Sequence, residues 1–168
     1  PYEVGENLFI QEVNIQKEIK RHWKEISSYV VAILRTSGIV GGGNLNTLCH
    51  LVGTPYEPNF AGKVLFLEDR AEAPYRIDRM LTHMKLAGCF ENLAGIALGS
   101  FEDCGPPDEV CNIVAECFRD ESIPIFAGLE VGHAEINLTL PFGIEATLDA
   151  TKHMLSFHRP ATVAPEDR

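Results

Sequence analysis

Three short apolar segments, separated by segments with helical periodicity, constrain the fold of this chain more than any other feature. They lie at residues 63–67, 94–98 and 123–127. The first, bounded by Gly62 and Asp69, is typical of a β-strand covered on both faces. The order strand, helix, strand, helix, strand predicts a right-handed parallel βαβαβ core.

The segments around these strands carry helix signals. Pro74 suits the first turn of a helix, and apolar residues recur after it at helical spacing until Gly88. Residues 108–118 have a second amphipathic pattern. Asn44 is a candidate N-cap for a short helix that ends before Gly53. Three helices are therefore predicted between residues 44 and 118.

The C-terminal part has a different pattern. Residues 137–140, 144–148 and 154–157 alternate apolar and polar side chains and are separated by short turns. Such alternation is typical of an antiparallel meander. The predicted fold class is therefore α/β, with a parallel βαβαβ core and an added antiparallel layer.

We predict three regions along the chain. Residues 1–35 form an N-terminal helix or linker followed by a lead-in strand, because residues 11–26 carry an imperfect helical stripe and residues 28–35 are rich in β-forming side chains. Residues 36–158 form the α/β domain. Residues 159–168 form a flexible tail.

The composition argues against several functions. The net charge is −10 over 168 residues, which opposes binding to nucleic acid or to an anionic membrane. Five cysteines without a Cys-x-x-Cys pair imply neither a disulfide framework nor a common zinc site, and we expect no metal or cofactor. Without a long apolar run or signal-peptide features, the expected location is the cytoplasm.

Two residues are candidates for acid–base chemistry. Glu68 follows an apolar strand, where α/β sheets place functional groups, and its carboxylate can orient a histidine. His133 follows Gly132 after another short strand, and its near-neutral titration suits a general base. The alternatives are that Glu68 caps a loop and that His133 is an ordinary surface histidine. The neighbouring Asp69 is expected to be structural.

The glycine run at residues 41–43 precedes Asn44. It lacks the spacing and the lysine of nucleotide-binding loops. We therefore predict a tight turn that allows close packing beside the active cleft. Gly42, Gly43 and Asn44 are the predicted substrate-binding or cleft-shaping residues, with Asn44 orienting substrate or the catalytic loop.

A nucleophile is harder to find. Ser100 lies at a strand end and Cys104 follows shortly after, but neither has the Gly-x-Ser-x-Gly surroundings of a nucleophile elbow. Cys104 with His133 and Glu68 is a conceivable cysteine triad. The alternative for Cys104 is packing in the core.

Seven short segments follow one another in the middle of the chain. They are residues 41–45 (GGGNL), 53–56 (GTPY), 63–69 (KVLFLED), 77–81 (IDRML), 94–101 (AGIALGSF), 128–133 (GLEVGH) and 140–143 (LPFG). Their order and content resemble the LD-carboxypeptidase family, serine peptidases that include muramoyltetrapeptide carboxypeptidases and microcin self-immunity peptidases. The resemblance covers roughly residues 36–150. It matches the C-terminal domain only, a three-layer β/β/α swivelling domain.

The resemblance implies a function. In that family a Ser-Glu-His triad has its serine on an N-terminal domain, and Glu68 and His133 take the places of the glutamate and the histidine. The chain is then expected to be the C-terminal catalytic half of a cytoplasmic carboxypeptidase. Such an enzyme cleaves an L-to-D amide bond in murein-derived tetrapeptides during peptidoglycan recycling, or in a related peptide amide.

The expected partners are the serine-bearing N-terminal domain of the same polypeptide and a muropeptide-like small substrate. A homodimer is a further candidate assembly. Without the serine, this chain alone is expected to be inactive. The alternative function is a non-catalytic binding or divergent domain that lacks the nucleophile domain.

Overall fold

The computed structural model describes residues 35–150, 152 and 154–162 of the chain. Their elements, in chain order, are β1 (Arg35–Asn44), α1 (Leu45–Leu51), β2 (Lys63–Arg70), α2 (Pro74–Leu86), β3 (Gly95–Glu102), α3 (Pro107–Cys117), β4 (Ile125–Ala127), β5 (Glu145–Asp149) and β6 (Met154–Phe157). The predicted N-terminal helix and nearly all of the predicted lead-in strand lie outside the described residues.

One mixed sheet of six strands organises these elements, in the order β4-β3-β2-β1-β5-β6. Strands β1 to β4 are parallel neighbours, whereas β5 pairs antiparallel with β1 and β6 pairs antiparallel with β5. The predicted α/β class with a parallel core is confirmed, and the antiparallel strands predicted as an added layer belong to the same sheet. The antiparallel strands extend the same sheet from the edge at β1.

The two faces of the sheet carry separate apolar clusters. Alternate residues of β2 point to opposite faces, so Leu65 packs with the helices and Phe66 packs on the other side. All three helices lie on the first face, which we call the helix face. Residues 128–144 cover the second face, which we call the loop face, where the side chains of Leu129 and Val131 are buried.

Two local predictions are wrong. Residues 137–140 do not form a strand. The backbone there crosses the loop face, where Leu138 N donates to the carbonyl oxygen of Glu130 and Leu140 packs against the apolar cluster. The glycine run is not a turn either, because Gly42 and Gly43 continue β1 alongside β2.

The reason for glycine in β1 is close approach. A Cβ built on Gly42 would lie 2.0 Å from the carbonyl oxygen of Phe66, and the φ angle of Gly42 is +142°. Only glycine fits such a contact without displacing the neighbouring strand. Gly42 therefore allows close packing, as expected of the run, but through strand pairing and not through a turn.

Across the part of the chain that the structure describes, no helix is long and apolar enough to cross a membrane.

Candidate active site

Glu68 lies near the carboxyl end of β2, beside Asn44 in β1. Its side chain is on the loop face, since it alternates with Phe66, and only 7% of it is exposed. On its other side the pairing with β3 is irregular: Leu67 pairs with Leu98, but Asp69 pairs with Phe101. One residue of β2 therefore faces two residues of β3, which is a β-bulge.

His133 reaches this position from a loop that follows β4. Leu129 N donates to the carbonyl oxygen of Leu98 at 3.1 Å, and Ser100 N donates to the carbonyl oxygen of Val131 at 2.8 Å. These bonds hold the loop over the carboxyl end of β3. Although β3 separates β2 from β4, the loop crosses β3 and brings His133 to Glu68.

The two side chains are in direct contact. Nδ1 of His133 lies 2.6 Å from Oε2 of Glu68. Since a carboxylate only accepts hydrogen bonds, Nδ1 carries the donated proton, and in the neutral form of the ring Nε2 then has the lone pair. The His133 side chain is 50% exposed, and Nε2 has no hydrogen bond to any residue that the structure describes. A buried carboxylate thus orients an accessible imidazole.

Gly132 makes this approach sterically feasible. A Cβ on Gly132 would lie 2.4 Å from Ser100 Oγ and 2.9 Å from Oε2 of Glu68, and its φ angle is +128°. Any side chain would collide with the carboxylate that contacts His133. The prediction that this glycine permits a tight approach agrees with the geometry.

Asp69 points to the helix face and is bound there. Its carboxylate accepts hydrogen bonds from Asn44 Nδ2 at 2.9 Å, Asn46 N at 2.9 Å and Arg70 N at 2.8 Å. Only 2% of the residue is exposed. Three hydrogen bonds compensate the burial of this charge, and Asp69 has the structural role expected from the sequence.

Asn44 connects β1, α1 and β2. Its Oδ1 accepts from Thr47 N at 2.9 Å, which is the predicted N-cap, while its Nδ2 donates to Asp69. Both ends of the amide are therefore engaged within the protein. The side chain keeps the ends of β1 and β2 together beside Glu68.

A groove of about 510 Å³ lies on the helix face, between α1 and α2. Asn46 Nδ2 donates to Glu72 Oε1 at 2.8 Å at this groove, and Arg76 lies 3.4 Å from the same carboxylate. Neither Glu68 nor His133 lines it. The groove is thus separate from the Glu68–His133 pair.

The two candidate internal nucleophiles have other roles. Ser100 Oγ accepts hydrogen bonds from the backbone N–H groups of His133 and Ala134. Cys104 is fully buried in the helix-face cluster, its Sγ donates to the carbonyl oxygen of Glu102, and burial raises the pKa of its thiol. Reactive cysteines need exposure and a lowered pKa, so a Cys104 triad is not supported. The sequence contained no signal for the Ser100 contacts, since they join residues 33 and 34 positions apart.

Among the residues that the structure describes, the remaining cysteines and acidic groups do not form a metal site. Burial raises the pKa of the Cys111 and Cys117 thiols to about 11. Within residues 35–150, 152 and 154–162, no three His, Cys, Asp or Glu side chains are grouped as metal ligands.

Comparison with known proteins identifies relatives of this chain. A candidate carboxypeptidase of Synechocystis sp. is 39% identical over 125 residues, which cover 71% of this chain and 42% of the relative. The murein tetrapeptide carboxypeptidase of Pseudomonas aeruginosa is 34% identical over 125 residues, covering 70% of this chain and 40% of the relative. The chain therefore spans about two fifths of the length of these curated relatives.

A solved structure and a family model agree with these relatives. The crystal structure of muramoyltetrapeptide carboxypeptidase from Oxalobacter formigenes superposes with a TM-score of 0.65 at 28% identity, covering 82% of this chain and 53% of that one. Residues 37–148 match the model of the LD-carboxypeptidase C-terminal domain. This match includes Glu68, His133 and strands β2 to β4, and the chain belongs to the LD-carboxypeptidase family through this C-terminal domain.

Proposed function

We propose that this chain supplies the glutamate and the histidine of a Ser-Glu-His triad in a serine-type LD-carboxypeptidase. The substrate would be a murein-derived tetrapeptide, cleaved at an L-to-D amide bond. The observation that carries the proposal is the 2.6 Å contact between Glu68 Oε2 and His133 Nδ1.

The chemistry follows from the free nitrogen of the imidazole. His133 Nε2 takes the proton of a serine hydroxyl as the serine oxygen attacks the scissile carbonyl carbon. The resulting imidazolium then gives this proton to the nitrogen of the departing D-amino acid. Water hydrolyses the acyl-enzyme by the same route. Glu68 holds the ring in the Nδ1–H tautomer and stabilises its positive charge.

The serine and the oxyanion hole would come from a domain outside these 168 residues. Two observations support such a partner. The relatives are more than twice as long as the part that this chain matches. In addition, Ile136, Leu138 and Phe142 expose 54%, 40% and 50% of their surface in the loop that carries His133. Exposed apolar side chains gathered in one region mark interaction surfaces.

The other predicted site residues fit a shaping role in this proposal. Gly42 brings β1 into close contact with β2, and Asn44 ties the ends of both strands through Asp69. Gly42 and Asn44 would form the surface beside Glu68 that contacts the substrate. In this proposal the enzyme acts in the cytoplasm, where recycled muropeptides are processed.

The test is to join residues 1–168 to the serine-bearing part of the P. aeruginosa relative and to measure release of D-alanine from a murein tetrapeptide. We expect release that is lost in His133→Ala and in Glu68→Ala. His83→Ala, an exposed histidine on α2, is the matched control and should retain activity.

Two results would contradict the proposal. Activity that survives His133→Ala would exclude His133 as the base. A folded assembly that binds the tetrapeptide in calorimetry but releases no D-alanine would favour a non-catalytic binding domain.

A further inference from the structure

Three consecutive backbone N–H groups in the His133 loop are bound by side chains. Gly132 N donates to Asn137 Oδ1 at 3.1 Å, whereas His133 N and Ala134 N both donate to Ser100 Oγ, at 2.9 and 3.3 Å. Strand pairing therefore does not hold this stretch of the loop. One hydroxyl oxygen holds the backbone of His133 itself.

The position of that hydroxyl follows from the bulge in β3. Residues 99 and 100 together face the single residue Glu68, so the regular alternation of β3 is interrupted there. Gly99 packs tightly below the loop, since a Cβ on it would lie 2.4 Å from the carbonyl oxygen of Val131. Ser100 N donates to the same carbonyl oxygen at 2.8 Å. The backbone of Ser100 is thus fixed independently of its side chain.

We propose that Ser100 is a positioning residue for His133, acting through the two hydrogen bonds that its hydroxyl oxygen accepts from the His133 and Ala134 backbone. A hydroxyl oxygen has two acceptor sites, and these bonds use both. The inference rests on the proposed function, in which His133 is the base. It gives Ser100 a role other than that of a nucleophile.

The hydrogen bonds of Ser100 affect the orientation of the His133 ring as well as its backbone. His133 exposes half of its side chain, so packing restrains the ring little. Its orientation depends on the bond to Glu68 at one end and on a fixed backbone at the other. Without the Ser100 acceptor, the two N–H groups would turn toward water and the Nδ1 contact with Glu68 would loosen.

The first experiment uses the full 168-residue chain, labelled with ¹⁵N, and needs no activity. In Ser100→Ala we expect the His133 and Ala134 amides to exchange with solvent about tenfold faster, because a hydrogen bond of ordinary strength is lost. We also expect the ¹⁵N shifts of the His133 ring to report a mixture of tautomers instead of the Nδ1–H form.

Two variants make this result specific. Ser100→Thr keeps the hydroxyl and should restore both signals. Ser156→Ala removes a buried serine hydroxyl that has no hydrogen-bond partner among the described residues, and should leave His133 unchanged. If Ser100→Ala fails to fold, Ser100→Cys keeps the volume but offers only a weak acceptor, and it should give the same faster exchange.

The second experiment separates this inference from the proposed function. In the assembly with the serine-bearing domain, Ser100→Ala should lower kcat by about tenfold to a hundredfold, with little change in KM, since small displacements of catalytic groups have effects of this size. Unchanged exchange, tautomer and kcat in the folded Ser100→Ala or Ser100→Cys variant would overturn the inference about Ser100. Activity that persists in His133→Ala would overturn the triad itself, whatever Ser100 does.

Discussion

The carboxylate of Glu68 and Nδ1 of His133 lie 2.6 Å apart although 65 positions separate them in the chain. One is buried in a central strand and the other is half exposed on a loop. This arrangement orients the ring from the protein side and leaves Nε2 accessible from outside.

Glu68→Gln should lower kcat/KM for D-alanine release in the assembled enzyme by about 10²- to 10⁴-fold. The glutamine is nearly isosteric, but it removes the charge that stabilises the imidazolium and permits the wrong tautomer. Glu130→Gln, at an exposed position of the same loop, is the control and should change kcat/KM less than about twofold. Equal activities of the two variants would contradict the orienting role of Glu68.

The isolated chain should not hydrolyse an L-Lys–D-Ala or diaminopimelyl–D-Ala tetrapeptide at a detectable rate. A triad without its serine retains only the catalysis that binding and an oxyanion hole provide, and the proposal assigns the oxyanion hole, like the serine, to the other domain. Chromatographic detection of free D-alanine measures this directly. Turnover that persists in Ser100→Ala and disappears in Cys104→Ala would instead establish a cysteine nucleophile.

Gly132→Ala should destabilise the site more than Gly143→Ala. The new Cβ at position 132 would collide with Ser100 Oγ and with the Glu68 carboxylate, whereas a Cβ at Gly143 would meet nothing within 4 Å. We expect the free energy of unfolding in urea to fall by about 2–4 kcal/mol for Gly132→Ala, from collision plus strain. For Gly143→Ala we expect about 1 kcal/mol from strain alone. Loss of the His133–Glu68 contact by NMR should accompany only the first.

Gly42→Ala and Gly43→Ala form a second matched pair, since both glycines have φ angles near +145° at the end of β1: +142° and +150°. The Cβ at Gly42 would lie 2.0 Å from the Phe66 carbonyl oxygen, but the Cβ at Gly43 would meet no atom within 4 Å. Gly42→Ala should therefore cost about 3 kcal/mol more than Gly43→Ala in the free energy of unfolding. Equal costs would show that β1 and β2 are not in close contact there.

The free energy of unfolding should decrease as pH rises from about 9 to about 11. Burial raises the pKa of Cys111 and Cys117 from 9.0 to about 11, so between these values the native thiols keep protons that the unfolded chain has lost. Unfolding then becomes more favourable with rising pH. The two thiols contribute fully to the free energy of unfolding only below pH 9. Urea denaturation across this range measures the slope, and a Cys111→Ala/Cys117→Ala double variant should make it smaller.

Several parts of the fold could be predicted from local sequence patterns. The β2 and β3 strands, the α2 and α3 helices and the N-cap at Asn44 follow from apolar periodicity and from residues that start or stop helices. The pairing of Glu68 with His133 was expected because the family resemblance places both residues in one triad. The signals for the strands, the helices and the N-cap lie within a few residues of the element that they specify, so they can be read from the sequence alone.

Other features depended on contacts between distant segments. The glycine run reads locally as a turn, but it extends β1 because Phe66 in β2 comes close enough to exclude a Cβ. Residues 137–140 alternate like a strand, yet they lie across a sheet face, and no strand of the described residues pairs with them.

The sequence by itself determined the α/β class and the order of the elements, and it pointed to Glu68 and His133 as the candidate site. Only the tertiary structure decided how His133 crosses β3 to reach Glu68 and which hydroxyl holds its backbone. The physical reason is that periodicity and capping are properties of neighbouring residues. The bulge at Ser100 and the lack of room for a side chain at Gly132 arise only when strands and loops far apart in the chain are packed together.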